Sequence, residues 1–150
     1  MAEETYTPLL SEVLTKVNNA KNKGQKIKIL KENNSLPLRQ ILIWAFDPNV
    51  ISALPSGKPP FIENDAPEGT EHTTLRKESN NLYRFVKGGD DNIEKSRKEN
   101  MFIQLLEGLH KDEAELLCNV KDKQLHKVYK GLSKEVVKEG LGLDDNFKVI

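Results

Sequence analysis

The 150-residue sequence predicts an all-α fold, a single domain of about six or seven short helices. Apolar residues recur at three- and four-residue spacing in several separate segments. Ser, Thr or Asp stands at the head of most of these segments, where helices are capped, and Pro follows in two of them. No alternating apolar and polar run is long enough for a sheet, and no repeat of ~20–50 residues is visible.

The elements follow in order. Thr7 and Pro8 open a first helix with Leu9, Leu10, Val13, Leu14 and Val17 on one face. The pattern breaks over Asn18 to Lys23. A lysine-rich helix runs from about Gly24 to Asn33, turning Ile27, Ile29 and Leu30 inward. Ser35 caps a third helix, with Pro37 early in it and Leu38, Ile41, Leu42, Ala45 and Phe46 on its apolar face. Trp44 packs with them. Asp47-Pro48 stops this helix, because the proline ring removes a donor and clashes with the preceding turn. Val50, Ile51 and Leu54 suggest one more short helical turn. A long irregular loop then runs from about 52 to 72, with Pro55, Gly57, Pro59, Pro60, Pro67 and Gly69. Loops beyond ~12–15 residues are usually functional or mobile. Helix resumes near Thr74 with Leu75, Leu82, Phe85 and Val86, and Gly88-Gly89 ends it. Asp90 or Asp91 caps the next helix, which carries Ile93, Met101, Phe102, Leu105, Leu106 and Leu109 and finishes near Gly108 to His110. Another runs from Asp112 to Val120. The chain is irregular after Leu125, and Ser133 caps a last helix with Val136, Val137 and Leu141, ended by Gly140 and Gly142. Residues 1–6 and 144–150 read as flexible ends.

Composition excludes several classes of function. The 23 Lys and Arg balance 23 Asp and Glu, and a nucleic-acid-binding domain is usually basic. The single Cys118 rules out an internal disulfide and a multi-Cys zinc site, and it fits a reducing compartment. No apolar run approaches the ~20 residues of a membrane span, and no signal peptide opens the sequence. The charges are, however, segregated. Lys16, Lys21, Lys23, Lys26, Lys28 and Lys31 form one run without an acid. Lys121, Lys123, Lys127, Lys130, Lys134 and Lys138 form another, interrupted by Asp122 and Glu135. Acids gather at Glu3 and Glu4, at Glu63, Asp65, Glu68 and Glu71, and at Asp144 and Asp145. The lysines either solvate the outer faces of helices or, folded onto one side, attract phosphates.

Catalytic signatures are missing. Gly88-Gly89 lacks the spacing and the Lys-Ser/Thr pair of a phosphate loop. His72, His110 and His126 are scattered, without the helical pairing of a zinc hydrolase. His110 reads as a helix-end residue, and Cys118, beside Leu116 and Leu117, as a small core side chain. Glu63, Asp65 and Glu68 lack the EF-hand spacing. No nucleophile, base and orienting group converge, so neither enzyme activity, cofactor nor metal is expected.

Two segments carry a resemblance. The first is Leu10 to Phe61, with Lys21-Asn22-Lys23-Gly24-Gln25-Lys26, then Ile29-Leu30-Lys31-Glu32-Asn33, then a helix ending Ala45-Phe46-Asp47-Pro48. The second is Glu115 to Leu125 followed by Lys130-Gly131-Leu132-Ser133 and Val136 to Leu143. Both resemble the N-terminal helical DNA-binding domain of ATP-dependent DNA ligases of T-even-type phages. Departures are Gln124 in place of an acid, extra residues between Leu125 and Gly131, and Glu139-Gly140 in place of an aromatic-Pro pair. The Lys-x-Asp-Gly motif that carries the adenylated lysine is absent, since Lys121-Asp122-Lys123 lacks the Gly. The resemblance therefore implies a free-standing, non-catalytic DNA-binding module, similar to small proteins of T4-like phages, cyanophages among them, acting in the cytoplasm of the infected cell.

Such domains grip duplex DNA through backbone phosphates, using lysines, Gly-turn amides and helix N-termini. The candidate contacts are Lys21, Lys23, Lys26, Lys123, Lys130, Gly131, Ser133 and Lys134. Gly131 and Ser133 equally suit a plain turn and cap. Tyr129 or Trp44 could stack on a sugar or base, and Trp44 equally suits the core. The alternative function is a protein-interaction module on the same fold. In it the acidic loop Glu63 to Glu71, or the tail Leu143 to Ile150, meets a phage or host replication or transcription protein, or the protein sits in a virion, unless the tail folds back on the core.

Overall fold

Helical spacing becomes helix over most of the chain, and the long runs of apolar residues become its core. The computed structural model describes residues 9–62 and 73–148. These contain α1 (Leu10–Asn19), α2 (Lys23–Glu32), α3 (Leu36–Phe46), α4 (Leu75–Glu78), a 3-10 helix (Ser79–Phe85), α5 (Lys95–Gly108), α6 (Lys111–Lys121), α7 (Leu125–Val128) and α8 (Lys134–Leu141). There are two more α-helices than the smaller expected number because α4 and α7 are single turns. One core joins them, with Leu10, Leu14, Leu42, Phe102, Leu106 and Leu117 fully or almost fully buried. In it α6 packs on α1, α3 and α5, while α2 lies between α1 and α8. No described helix is long and apolar enough to cross a membrane.

Local chemistry explains the clearest boundaries. Ser35 Oγ accepts from the Leu38 amide at the head of α3, and Ser133 Oγ accepts from the Val136 amide at the head of α8. Gly142 closes α8 in the left-handed region at φ 65°, which a residue without Cβ adopts freely. Gly140 serves differently. It lies inside α8 against α2, where an added Cβ would stand 2.6 Å from Leu30 Cβ.

Several expected elements differ. Thr7 and Pro8 lie outside the described residues, and Leu9 holds the N-cap position of α1 without a side-chain cap. The helix after Thr74 turns 3-10 after one turn. Val50 to Leu54 is not helical, because Ile51 and Ala53 exchange main-chain bonds with Lys87 and Phe85 instead. Ser52 and Val86 thereby form an isolated antiparallel bridge. Asp91 does not cap α5. Its carboxylate accepts from the Gly88 amide at 3.1 Å and closes the turn before it. Over 144–148 the tail lies back against α8. Asp144 accepts from the Asn146 and Lys148 amides, and Phe147 is buried with Lys138 Nζ 5.3 Å from its ring centroid.

Two charged side chains hold the layers together from inside. Glu113 of α6 is wholly buried. One carboxylate oxygen accepts from Leu10 N at 3.2 Å and the other from Leu75 N at 3.1 Å, so it caps α1 and α4 at once. Lys121 Nζ donates to the carbonyls of Pro55 and Gly57 at 2.7 and 3.0 Å and to Asp122 at 2.6 Å. Asp122 in turn accepts from Gly57 N at 3.1 Å, which pins the start of the long loop to the end of α6.

Candidate nucleic-acid interface

The first lysine cluster sits on a tightly capped turn between α1 and α2. Asn22 Oδ1 accepts from Gln25 N at 2.9 Å and caps α2, while Gln25 Oε1 accepts from Lys21 N at 3.1 Å, one residue before the cap. This leaves Lys21 and Lys23 exposed and lays the half-buried Lys26 along the surface.

The second cluster arrives beside it. Gly131 N donates to Asn18 Oδ1 at 2.9 Å. A Cβ at Gly131 would lie 2.9 Å from Lys26 Cε and 3.2 Å from Asn18 Cα, so this approach of the two segments favours a glycine. Lys130 and Lys134, on either side of that contact, are exposed, as is Lys127. Lys26 therefore lies against the Lys130-Gly131 turn, although the two come from opposite ends of the sequence.

The other candidates are committed elsewhere. Lys23 Nζ lies 3.4 Å from Glu135 and 3.5 Å from Glu139, and these carboxylates, Glu139 foremost, raise its pKa. Both acids moderate the local positive field. The Gly131 amide is taken by Asn18, and the Ser133 hydroxyl caps α8. Lys123 turns inward, with positive φ of 55°. Its Nζ donates to the carbonyls of Trp44 and Asp47 at 2.6 and 2.8 Å, closing the C-terminal end of α3. Burial lowers its pKa, opposed by Asp47 and helped by Lys134. Lys123 is thus a helix cap, a role the sequence reading did not give it. Lys123→Met is expected to destabilise the fold by about 1–3 kcal/mol, because two carbonyls lose their donor. Denaturant unfolding measures that directly.

The stacking candidates also face inward. Trp44 is buried in the core, and Tyr129 is half-buried, hydrogen-bonded to Thr15, with its phenol pKa raised by burial. Burial pushes the Cys118 thiol up to about 11, so it stays protonated and packs as an apolar group. His110, expected at a helix end, is the N-cap of α6, its Nδ1 accepting from Asp112 N at 3.1 Å. The described residues contain no group of three or more His, Cys, Asp or Glu able to hold a metal. Glu63, Asp65, Glu68 and Glu71 lie outside the described residues.

A model of a family of unknown function (DUF6433) matches residues 13–127. The chain belongs to that family. The family match takes in the first lysine cluster and ends at Lys127, before the Lys130-Gly131 turn and α8. Neither a curated protein nor a solved structure matches the chain.

Proposed function

We propose that this DUF6433 protein is a non-catalytic accessory protein that binds duplex DNA through backbone phosphates, largely without sequence preference. The ligase-like segments suggest a phage setting and the cytoplasm of an infected cell. The observation that supports the reading is the contact of Lys26 with Gly131, which brings a lysine of the first cluster against the Lys130-Gly131 turn of the second. Lysines gathered in one place attract phosphates even when the whole chain is neutral. Glu135 and Glu139 beside Lys23 predict a weak, salt-sensitive grip.

A shift assay with random duplex DNA across a salt series tests this. Log affinity is expected to fall with log salt at about −0.9 per phosphate contact. Replacing Lys130 and Lys134 with Ala is expected to flatten the slope by about two contacts. Glu135→Gln with Glu139→Gln frees Lys23 and strengthens binding. Absence of binding at about 50 mM salt and micromolar protein rejects the reading, since non-specific contacts are strongest at low salt.

A further inference from the structure

A loop and a helix enclose a cleft of about 370 Å³ beside the end of α6. Residues 54–60 form one wall, and Glu99, Phe102 and Ile103, on one face of α5, form the other. Pro55, Pro59 and Pro60 fix φ at three positions of the loop. Its main chain is also tied to the end of α6. The carbonyls of Pro55 and Gly57 accept from Lys121 Nζ, and the Gly57 amide donates to Asp122. The cleft is therefore preformed, and an occupant has little loop to order. Its volume falls within the ~300–1,000 Å³ usual for small-molecule sites.

Charge selects the occupant. Lys58, Glu99 and Lys121 are the charged side chains that line the cleft. Each lysine already has its own carboxylate, Lys58 that of Glu115 at 3.3 Å and Lys121 that of Asp122 at 2.6 Å. The three donors of Lys121 are all spent, on Asp122 and the two loop carbonyls. Glu99 has no ion pair and no hydrogen bond with any described residue. It is half-exposed, and its oxygens are not sealed from solvent, unlike the unpartnered Gln40 Oε1 and Trp44 Nε1. The cleft thus holds one reachable, uncompensated negative charge beside the apolar side chains of Leu54, Pro59 and Ile103. An anion meets that charge and finds no free cation. A metal ion finds too few ligands, since no group of three His, Cys, Asp or Glu is near enough to hold one among the described residues. We propose that the cleft binds a small organic cation, a protonated primary amine. Its ammonium pairs with Glu99, and its apolar body lies between the prolines and Ile103. The site shares no residue with the DNA contacts proposed above and does not rest on them.

Three probes of one shape and different charge test this on the full chain. Calorimetry at low salt compares phenethylamine, the neutral phenethyl alcohol and the anionic phenylacetate. The expected result is saturable binding of the amine, at least tenfold tighter than the alcohol, with no binding of phenylacetate. Glu99→Gln weakens the amine at least tenfold. It leaves the melting temperature of the free protein unchanged, because the half-exposed carboxylate has no partner to lose. Lys58→Met leaves the amine affinity unchanged or higher, since Glu115 then loses its own cation. The proposal is overturned if millimolar phenethylamine gives no saturable heat. Phenylacetate or phenethyl alcohol binding as tightly as the amine overturns it too, as does a Glu99→Gln variant that binds the amine like wild type. Tighter binding of N-acetyl-lysine-N-methylamide, a lysine side chain on a peptide backbone, overturns it in favour of a basic segment of a partner protein.

Discussion

Glu113→Ala is expected to lower the melting temperature by roughly 10 °C, the equivalent of about 3 kcal/mol in a domain of this size. The substitution leaves the amides of Leu10 and Leu75 unpaired in buried surroundings and opens a void in α6. Glu113→Gln keeps one acceptor and turns an NH2 group toward the other amide, so it costs about 1–2 kcal/mol. The two variants together separate the hydrogen bonds from the packing. The charge adds a pH signature. Burial raises the Glu113 pKa above 4.5, against the pull of the two amides and of Arg76. A carboxyl with a raised pKa in the folded state stabilises the fold below its ordinary pKa, and that contribution fades as pH rises through the folded value. The glutamine variant lacks this term. The stability gap between wild type and Glu113→Gln is therefore expected to widen from about pH 7 to about pH 4. Urea unfolding of both proteins at the two pH values checks the sign, and a gap that narrows on acidification would show that the amides outweigh burial.

Gly140→Val produces the second large effect. A Cβ at this position meets Leu30 Cβ at 2.6 Å and Leu30 Cδ1 at 2.7 Å, and Leu30 is fully buried with no free space to enter. A branched side chain forces α8 away from α2, at about 3 kcal/mol. Gly140→Ala is the sharper test. Removing a glycine from a helix interior favours the helix by about 1 kcal/mol, yet the added carbon still strikes Leu30. Net destabilisation on chemical unfolding is the expected outcome for both. Stabilisation by alanine would mean that the two helices separate without penalty.

What was readable in the sequence depended on how near the partners lie. Ser35 and Ser133 announce their helices because each bonds an amide three residues away. The apolar faces of α1 and α3 announce themselves through spacing alone, and Trp44 was readable as a core residue on that basis. Glu113 was not, since it stands beside Asp112 in a charged stretch and its partners are 103 and 38 residues away. Lys123 was read as a surface lysine for the same reason, because its carbonyl partners are 79 and 76 residues distant. The two lysine clusters were visible as clusters. Their meeting was not, since it depends on Gly131 reaching Asn18 across 113 residues. The cleft at Glu99 had no sequence signal, since the loop that walls it is held by Lys121 and Asp122, 64 to 66 residues away.

The contact between α2 and α8 has a further consequence for where this protein can be cut. The recognisable family region, 13–127, ends before α8 begins. Leu30, inside that region, is nevertheless sealed by Gly140, and Lys23 and Asn18 reach forward to Glu135, Glu139 and Gly131. A fragment trimmed to the shared region would bare the apolar flank of α2 and leave Leu30 in water. The matched stretch and the folding unit therefore end at different points along this chain.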